Sequence, residues 1–214
     1  MNQISIDKLV ASLRQQPVKG FFSEEEGREL AKAVRDAQSQ SPIVEIGSYC
    51  GLSTCYLAAA AAAAKKVVYA VDHHEGSEEH QPGEEYCDTD LINQAGSVSS
   101  FELFKQTIKR FGFEDVIVPV VARSELVARH WQTPISLLFI DGGHSFEQAF
   151  ADLTHWSQHV EPMGQIYMHD IYDETSAEGQ APRLALEQFL ASTDEQWIAH
   201  QSVGSLWLLR KAMP

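Results

Sequence analysis

Seven consecutive alanines, at positions 58–64, lie between two short runs of β-branched residues, and this arrangement constrains the chain more than any other feature. Ile43, Val44 and Ile46 form the first run; Val67, Val68 and Val71 belong to the second. Each run is too short for an amphipathic helix and too uniformly apolar for a half-exposed strand. Both suit parallel strands buried on two faces. Alanine has the highest helix propensity, and its small side chain lets a helix lie close on a sheet. Lys65 and Lys66 complement the negative pole of that helix. Gly47 and Gly51 bracket the turn that enters it, where Ser53 and Thr54 can satisfy free backbone donors. Residues 41–74 therefore read as strand, glycine turn, helix and strand, ending on Asp72. A βαβ unit of this kind presents its strand ends to a nucleotide.

The dinucleotide pattern G-x-G-x-x-G does not fit. Counted from Gly47, its second glycine falls on Tyr49 and its third on Leu52. A tyrosine there keeps the backbone away from a pyrophosphate, which counts against an NAD(P)-dependent oxidoreductase, the main alternative on such a unit. S-adenosylmethionine (SAM) has no pyrophosphate. It needs an open turn for its amino acid and a carboxylate for its ribose hydroxyls, which Gly47, Gly51 and Asp72 offer. The string Glu45-Ile46-Gly47-Ser48-Tyr49-Cys50-Gly51 resembles motif I, E-I-G-x-x-x-G, of class I SAM-dependent methyltransferases. A longer string, Phe139-Ile140-Asp141-Gly142-Gly143-His144-Ser145-Phe146-Glu147, resembles the bacterial O-methyltransferases related to macrocin- and cephalosporin-type enzymes, a family with a domain of the methyltransferase 24 type. The lead-in G-F-F-S-x-E-E-G-x-x-L, residues 20–30, is similar to theirs.

The resemblance spans residues 20–211 and implies a single-domain α/β fold, the Rossmann-like class I methyltransferase. Such a fold has a seven-stranded, mostly parallel sheet with an antiparallel last strand and helices on both faces. Residues 1–40 would be a helical lead-in and residues 41–214 the SAM-binding domain. The resemblance further implies that Glu45, Gly47, Ser48, Tyr49, Gly51, Ser53, Asp72, His73, Asp141 and Gly142 surround the cofactor, with Ala122, Arg123 and Ser124 on its adenine side.

Patterning supplies the remaining elements. Helices are expected over 4–15 and 23–38, the second opened by a capping box of Ser23 and Glu26. Their apolar faces need cover, and a homodimer through Phe21 and Phe22 would provide it. A helix over 100–111 precedes a strand over 116–121, whose Pro119 suits a sheet edge. Ser124 is placed to cap a helix over 125–131, and Ser145 one over 146–159. Strands are expected over 136–140 and 164–171, then a helix over 182–191 and a hairpin of 197–203 and 205–211 turning at Gly204. Residues 73–100 are polar and carry His73, His74 and His80. Without a standard ligand spacing they read as a solvated acidic loop before a metal-binding one, with a substrate lid as the third reading.

The chemistry concentrates at two strand ends. Asp141 and His144 follow the fourth strand, and His169 and Asp170 follow the fifth. Transfer of a methyl group to a hydroxyl oxygen needs in-line positioning and removal of the hydroxyl proton. His144 is the candidate base, with Asp141 beside it. Metal-dependent relatives carry an acid after the fourth strand and an acidic pair after the fifth; here that pair is His169-Asp170. Asp141, His169 and Asp170 would then hold a divalent metal, Mg2+ through oxygens or a transition metal if His169 joins. His169 reads as well as a strand-end histidine.

Composition narrows the partners. A net charge of −14 repels nucleic-acid backbones and anionic membranes, which leaves a small-molecule acceptor. The first residues, MNQISIDKLV, lack a cationic start followed by an apolar run, and the three cysteines have no CxxC spacing. Both suit a reducing cytoplasm. A non-catalytic SAM-binding protein would keep Gly47 and Asp72 as well, and nothing in residues 73–100 spells out the acceptor.

Overall fold

A computed structural model describes residues 4–77, 81–84, 87–172, 180–193 and 197–211. The chain alternates strands and helices: α1 (Ile6–Gln15), α2 (Glu24–Asp36), β1 (Ile43–Ile46), α3 (Leu52–Ala64), β2 (Val68–Asp72), α4 (Phe101–Phe111), β3 (Ile117–Val121), α5 (Ser124–Ala128), β4 (Ile135–Ile140), α6 (Phe146–Ser157), β5 (Val160–Met168), α7 (Gln180–Ser192), β6 (Trp197–Val203) and β7 (Leu206–Lys211). One seven-stranded sheet runs in the order β3-β2-β1-β4-β5-β7-β6. β1 to β5 pair in parallel, and β7 runs antiparallel to both β5 and β6. This is the Rossmann-like methyltransferase sheet that the sequence leads one to expect.

Burial explains the strand composition. All four residues of β1 and all six of β4 are buried, because helices cover both faces of the sheet centre. One core packs α1, α2, α3 and α4 on one face; the other packs α5, α6 and α7 on the opposite face. The alanine helix lies innermost, with Ala58 to Ala61 each no more than 3% exposed. Small side chains permit a close approach from α2 as well: a Cβ on Gly27 would come within 2.6 Å of the Tyr56 ring. The apolar faces of α1 and α2 are thus covered by α3 of the same chain. Phe22 also packs inward, with its ring 5.6 Å from Phe139 and 4.9 Å from His169. The faces assigned to a dimer partner are satisfied internally; only Phe21, 64% exposed, remains outside. Among the described residues, no helix is long and apolar enough to cross a membrane.

Several expected boundaries move. β5 begins at Val160, not at 164, and its pairing with β4 shifts register between Ile135 and Leu137. α5 ends at Ala128, and Trp131 turns back to pack its ring 4.9 Å from Tyr69 and 5.5 Å from Trp156. Ser124 is the first residue of α5 rather than its cap, and the cap position, Arg123, makes no side-chain cap bond. The Ser23–Glu26 box is reciprocal and Ser145 accepts from Gln148 N–H, as expected, but Ser53 and Thr54 do not cap α3: its cap position is Gly51, without a side-chain bond, and both hydroxyls donate to Glu45. Pro119 lies on β3, an edge strand.

Candidate active site

The carboxyl ends of β1, β2, β3 and β4 open into a cavity of about 1090 Å³. Its floor is the turn after β1. Gly47 there has φ +83°, and a Cβ would lie 2.0 Å from the Asp141 carbonyl oxygen. Only glycine allows the ends of β1 and β4 to approach so closely. Tyr49 and His74 also adopt left-handed backbone, at φ 45° and 60°. Asp72 holds both: Oδ2 accepts the Tyr49 N–H at 2.7 Å and Oδ1 the His74 N–H at 2.7 Å. One carboxylate therefore fixes the turns after β1 and β2. Beside it the Ser48 hydroxyl is buried and makes no hydrogen bond to the described residues.

Most residues expected around the cofactor line this cavity: Gly47, Ser48, Tyr49, Ser53, Asp72, His73, Ala122, Arg123, Ser124, Asp141 and Gly142. Glu45 and Gly51 do not. Gly51 caps α3 with φ 92°, and a Cβ there would face Phe104 and Thr107 on α4. Glu45 points beneath the turn, where it is completely buried and takes the hydroxyls of Ser53 and Thr54, each at 2.6 Å. Burial pushes its carboxyl up to about 8, against the pull of the two hydroxyls. The sign of the consequence follows. Between its unfolded value near 4.5 and about 8, the folded chain binds the extra proton, so stability falls as pH rises through this window. Glu45→Gln, neutral and of the same shape, is expected to remove that slope. Urea denaturation at pH 5 and pH 8 would measure it, and an equal slope in both proteins would reject a protonated Glu45.

The polar stretch after β2 builds one wall. Leu91 and Val98 are buried against Cys50, and Ile92 bridges to Val98. Lys19 from the lead-in reaches Asp88 at 2.5 Å and Asp90 at 2.7 Å. The described residues of the segment therefore form a fitted wall of the cavity. His74 is buried with Nδ1 2.8 Å from Ser100 Oγ, and His80 lies outside the described residues.

At the ends of β4 and β5, Asp141, His144 and Asp170 offer ligand atoms that all lie within 4.8 Å of one another. His144 Nε2 is 2.9 Å from Asp170 Oδ2. His169 takes a different part from the one expected. Its ring is 5% exposed, with Nδ1 3.1 Å from Asp141 and 3.2 Å from Asp170, and Nε2 3.3 Å from Glu26. The contact to Glu26 is an ion pair without good hydrogen-bond alignment. Burial opposes charge on this ring, but Asp141, Asp170 and Glu26 outweigh it and hold the imidazole well above its usual range. Burial likewise raises Asp170, yet His144 and His169 pull it below the ordinary carboxylate range. His169 is thus an internal cation clamped by three acids, and His144 takes its place beside the open pair.

Sequence reasoning missed Asp152, which borders the cavity, and Glu26, which touches the site through His169. Burial raises the Glu26 carboxyl, and His169 and Ser23 overcome this and bring it to about 2. Its Oε2 completes the capping box, while Oε1 accepts Ser205 N–H at 3.0 Å and faces His169. The only sequence signal is Ser-x-x-Glu, which explains the first contact and says nothing of the others.

At the opposite end, near β3, the Ser124 hydroxyl donates to Asp152 and accepts from Trp156 Nε1 at 2.8 Å. Asp152 is 7% exposed and borders the cavity; burial pushes its carboxyl up to about 7.

Comparison with known proteins agrees with this geometry. Residues 44–171 match the family model described as a methyltransferase domain. Among solved structures, the O-methyltransferase NovP superposes with a TM-score of 0.70 at 13% identity, covering 89% of this chain and 81% of that one. The O-methyltransferase TomG from Streptomyces achromogenes, in complex with SAM, gives 0.63 at 15% identity, covering 97% and 89%. An O-methyltransferase from Bacillus cereus, in complex with S-adenosylhomocysteine (SAH), gives 0.63 at 17%, covering 97% and 90%. With the motif I turn, the seven-stranded sheet and a family match over more than half its length, the chain belongs to the methyltransferase-domain family of class I SAM-dependent methyltransferases.

Proposed function

We propose that the chain transfers the methyl group of SAM to a hydroxyl oxygen of a small molecule. The carrying observation is the cluster of Asp141, His144 and Asp170 at the mouth of the cofactor cavity. SAM supplies a methyl group already activated by its sulfonium. The residues present fit it: Asp72 has lone pairs left for ribose hydroxyls, the unpartnered Ser48 hydroxyl and the Gly47 turn suit the amino-acid end, and Ala122, Ser124 and Gly142 form a slot for the base.

What this chain must add is alignment and a proton acceptor. His144 is 40% exposed at its side chain, so an acceptor can reach it, and Asp170 holds its imidazole at 2.9 Å. With Nε2–H donated to Asp170, basicity resides on Nδ1. A divalent ion held by Asp141, Asp170 and His144 would supply Lewis acidity to the same hydroxyl. The oxygen-rich donor set suits Mg2+ or Mn2+, and the imidazole widens it to other transition metals. The dense carboxylates around the mouth favour a neutral acceptor over an anionic one.

The test is SAH formation over a panel of phenols, catechols, sugars and amines, with and without Mg2+. Turnover with hydroxylated acceptors is expected. Turnover confined to amines would reject the oxygen assignment.

A further inference from the structure

We propose that Asp152 reads the exocyclic amino group of the cofactor's adenine and so sets the base specificity of the site. The proposal rests on the SAM reading above. Asp152 belongs to α6, where Ala149, Leu153 and Trp156 are ordinary core and Ser157 is the other buried polar residue. A carboxylate in this row has no packing value. It is more than nine-tenths buried, and desolvating a carboxylate is costly unless its oxygens are matched by donors.

One oxygen is matched. Oδ1 accepts from the Ser124 hydroxyl, and Ser124 is itself held by the Trp156 indole. This chain fixes the side chain in one rotamer. The other oxygen is not: among the described residues, Oδ2 accepts no hydrogen bond. It lies 3.0 Å from the position a Cβ would take on Gly142, so only glycine leaves it uncovered. Gly142 and Asp152 both border the cavity, together with Ala122 and Ala151. The wall is therefore a set of small side chains with one carboxylate oxygen set into it. That shape takes the flat edge of a heteroaromatic ring and asks it for an N–H.

Position along the ligand selects which N–H. The reacting end of the cofactor must approach Asp141, His144 and Asp170, at β4 and β5. Its ribose belongs on Asp72, at β2. The base then extends toward β3, where Ser124 and Asp152 stand. Adenine carries an amino group on that ring edge and hypoxanthine a carbonyl oxygen. The first donates to Oδ2; the second sets two acceptors against each other. A site built to accept an N–H rejects the analogue that lacks it much more strongly than an apolar slot does.

The experiment is a calorimetric titration of the intact protein at pH 8, above the raised Asp152 carboxyl, with SAH and with S-inosylhomocysteine, which differs only in carrying the carbonyl. Wild type is expected to bind SAH more tightly by about 10- to 100-fold, the worth of a hydrogen bond to a charged group. Asp152→Asn can turn its amide to either base, and its ratio is expected to fall to about threefold or less. Equal binding of both ligands by wild type, or preference for the inosine analogue, would overturn the proposal without any variant, so a misfolded Asp152→Asn leaves it testable. An unchanged ratio in a folded Asp152→Asn would overturn it as well. Absence of SAH binding by wild type would instead remove the cofactor reading, and this proposal with it.

Discussion

Asp72→Ala is expected to reduce SAH affinity by about 10²- to 10⁴-fold, from two lost hydrogen bonds to a charged group at about 1.5–3 kcal/mol each. The structure adds a second loss. The same carboxylate holds Tyr49 and His74, whose left-handed backbones each cost a residue with a Cβ about 1–2 kcal/mol. Without it both turns are free to relax away from the cavity. The variant should therefore bind weakly and also melt earlier than wild type, with the fold retained because β1, β2 and the alanine helix are undisturbed. Calorimetry with SAH, beside a circular-dichroism melt, separates the two effects. A lowered melting temperature with unchanged affinity would leave Asp72 as a strut between turns and end its assignment to the ribose.

The sequence spoke clearly where one residue type has one physical use. Seven alanines between β-branched runs admit little besides a helix buried on a parallel sheet, and α3 is that helix. Pro119 has no N–H to give, and it lies on an edge strand. It spoke poorly where a residue serves two partners. Ser124 has the composition of a cap, yet its hydroxyl is spent on Asp152, a contact across 28 positions. Glu26 looks complete as a capping-box acid, and its second oxygen reaches Ser205 and His169 only because β7 brings its turn back over α2. The start of β5 was hidden by Glu161 and Pro162, which look like a turn and are accommodated by the register shift against β4. Gly51 and Glu45 belong to motif I by pattern, but pattern does not say which way a side chain points. One opens space toward α4, and the other lies under the floor.

His144→Ala is expected to lower turnover by about 10²- to 10⁴-fold, the usual contribution of a general base, with SAH affinity intact. The arrangement of the two histidines makes this experiment sharper than the sequence allowed. His169, the ligand expected from its place beside Asp170, is enclosed between three carboxylates and the Phe22 ring. The histidine left beside Asp141 and Asp170 is His144. If a divalent ion binds there through His144, the imidazole is a ligand and no longer the base, because its second ring nitrogen then carries the proton, and the metal lowers the pKa of the hydroxyl instead. His144→Ala would then weaken Mn2+ binding as well as turnover, Asp141→Asn and Asp170→Asn would do the same, and a chelator would mimic all three. If no ion takes part, the chelator has no effect, and only the imidazole and its orienting Asp170 matter: Asp170→Asn should slow turnover while Asp141→Asn does less, because Asp141 faces His169 and not His144. Titrating Mn2+ by electron paramagnetic resonance, beside the rates, distinguishes these branches. Full turnover by the His144→Ala enzyme would remove it from both, and would leave proton removal to a group brought by the acceptor itself.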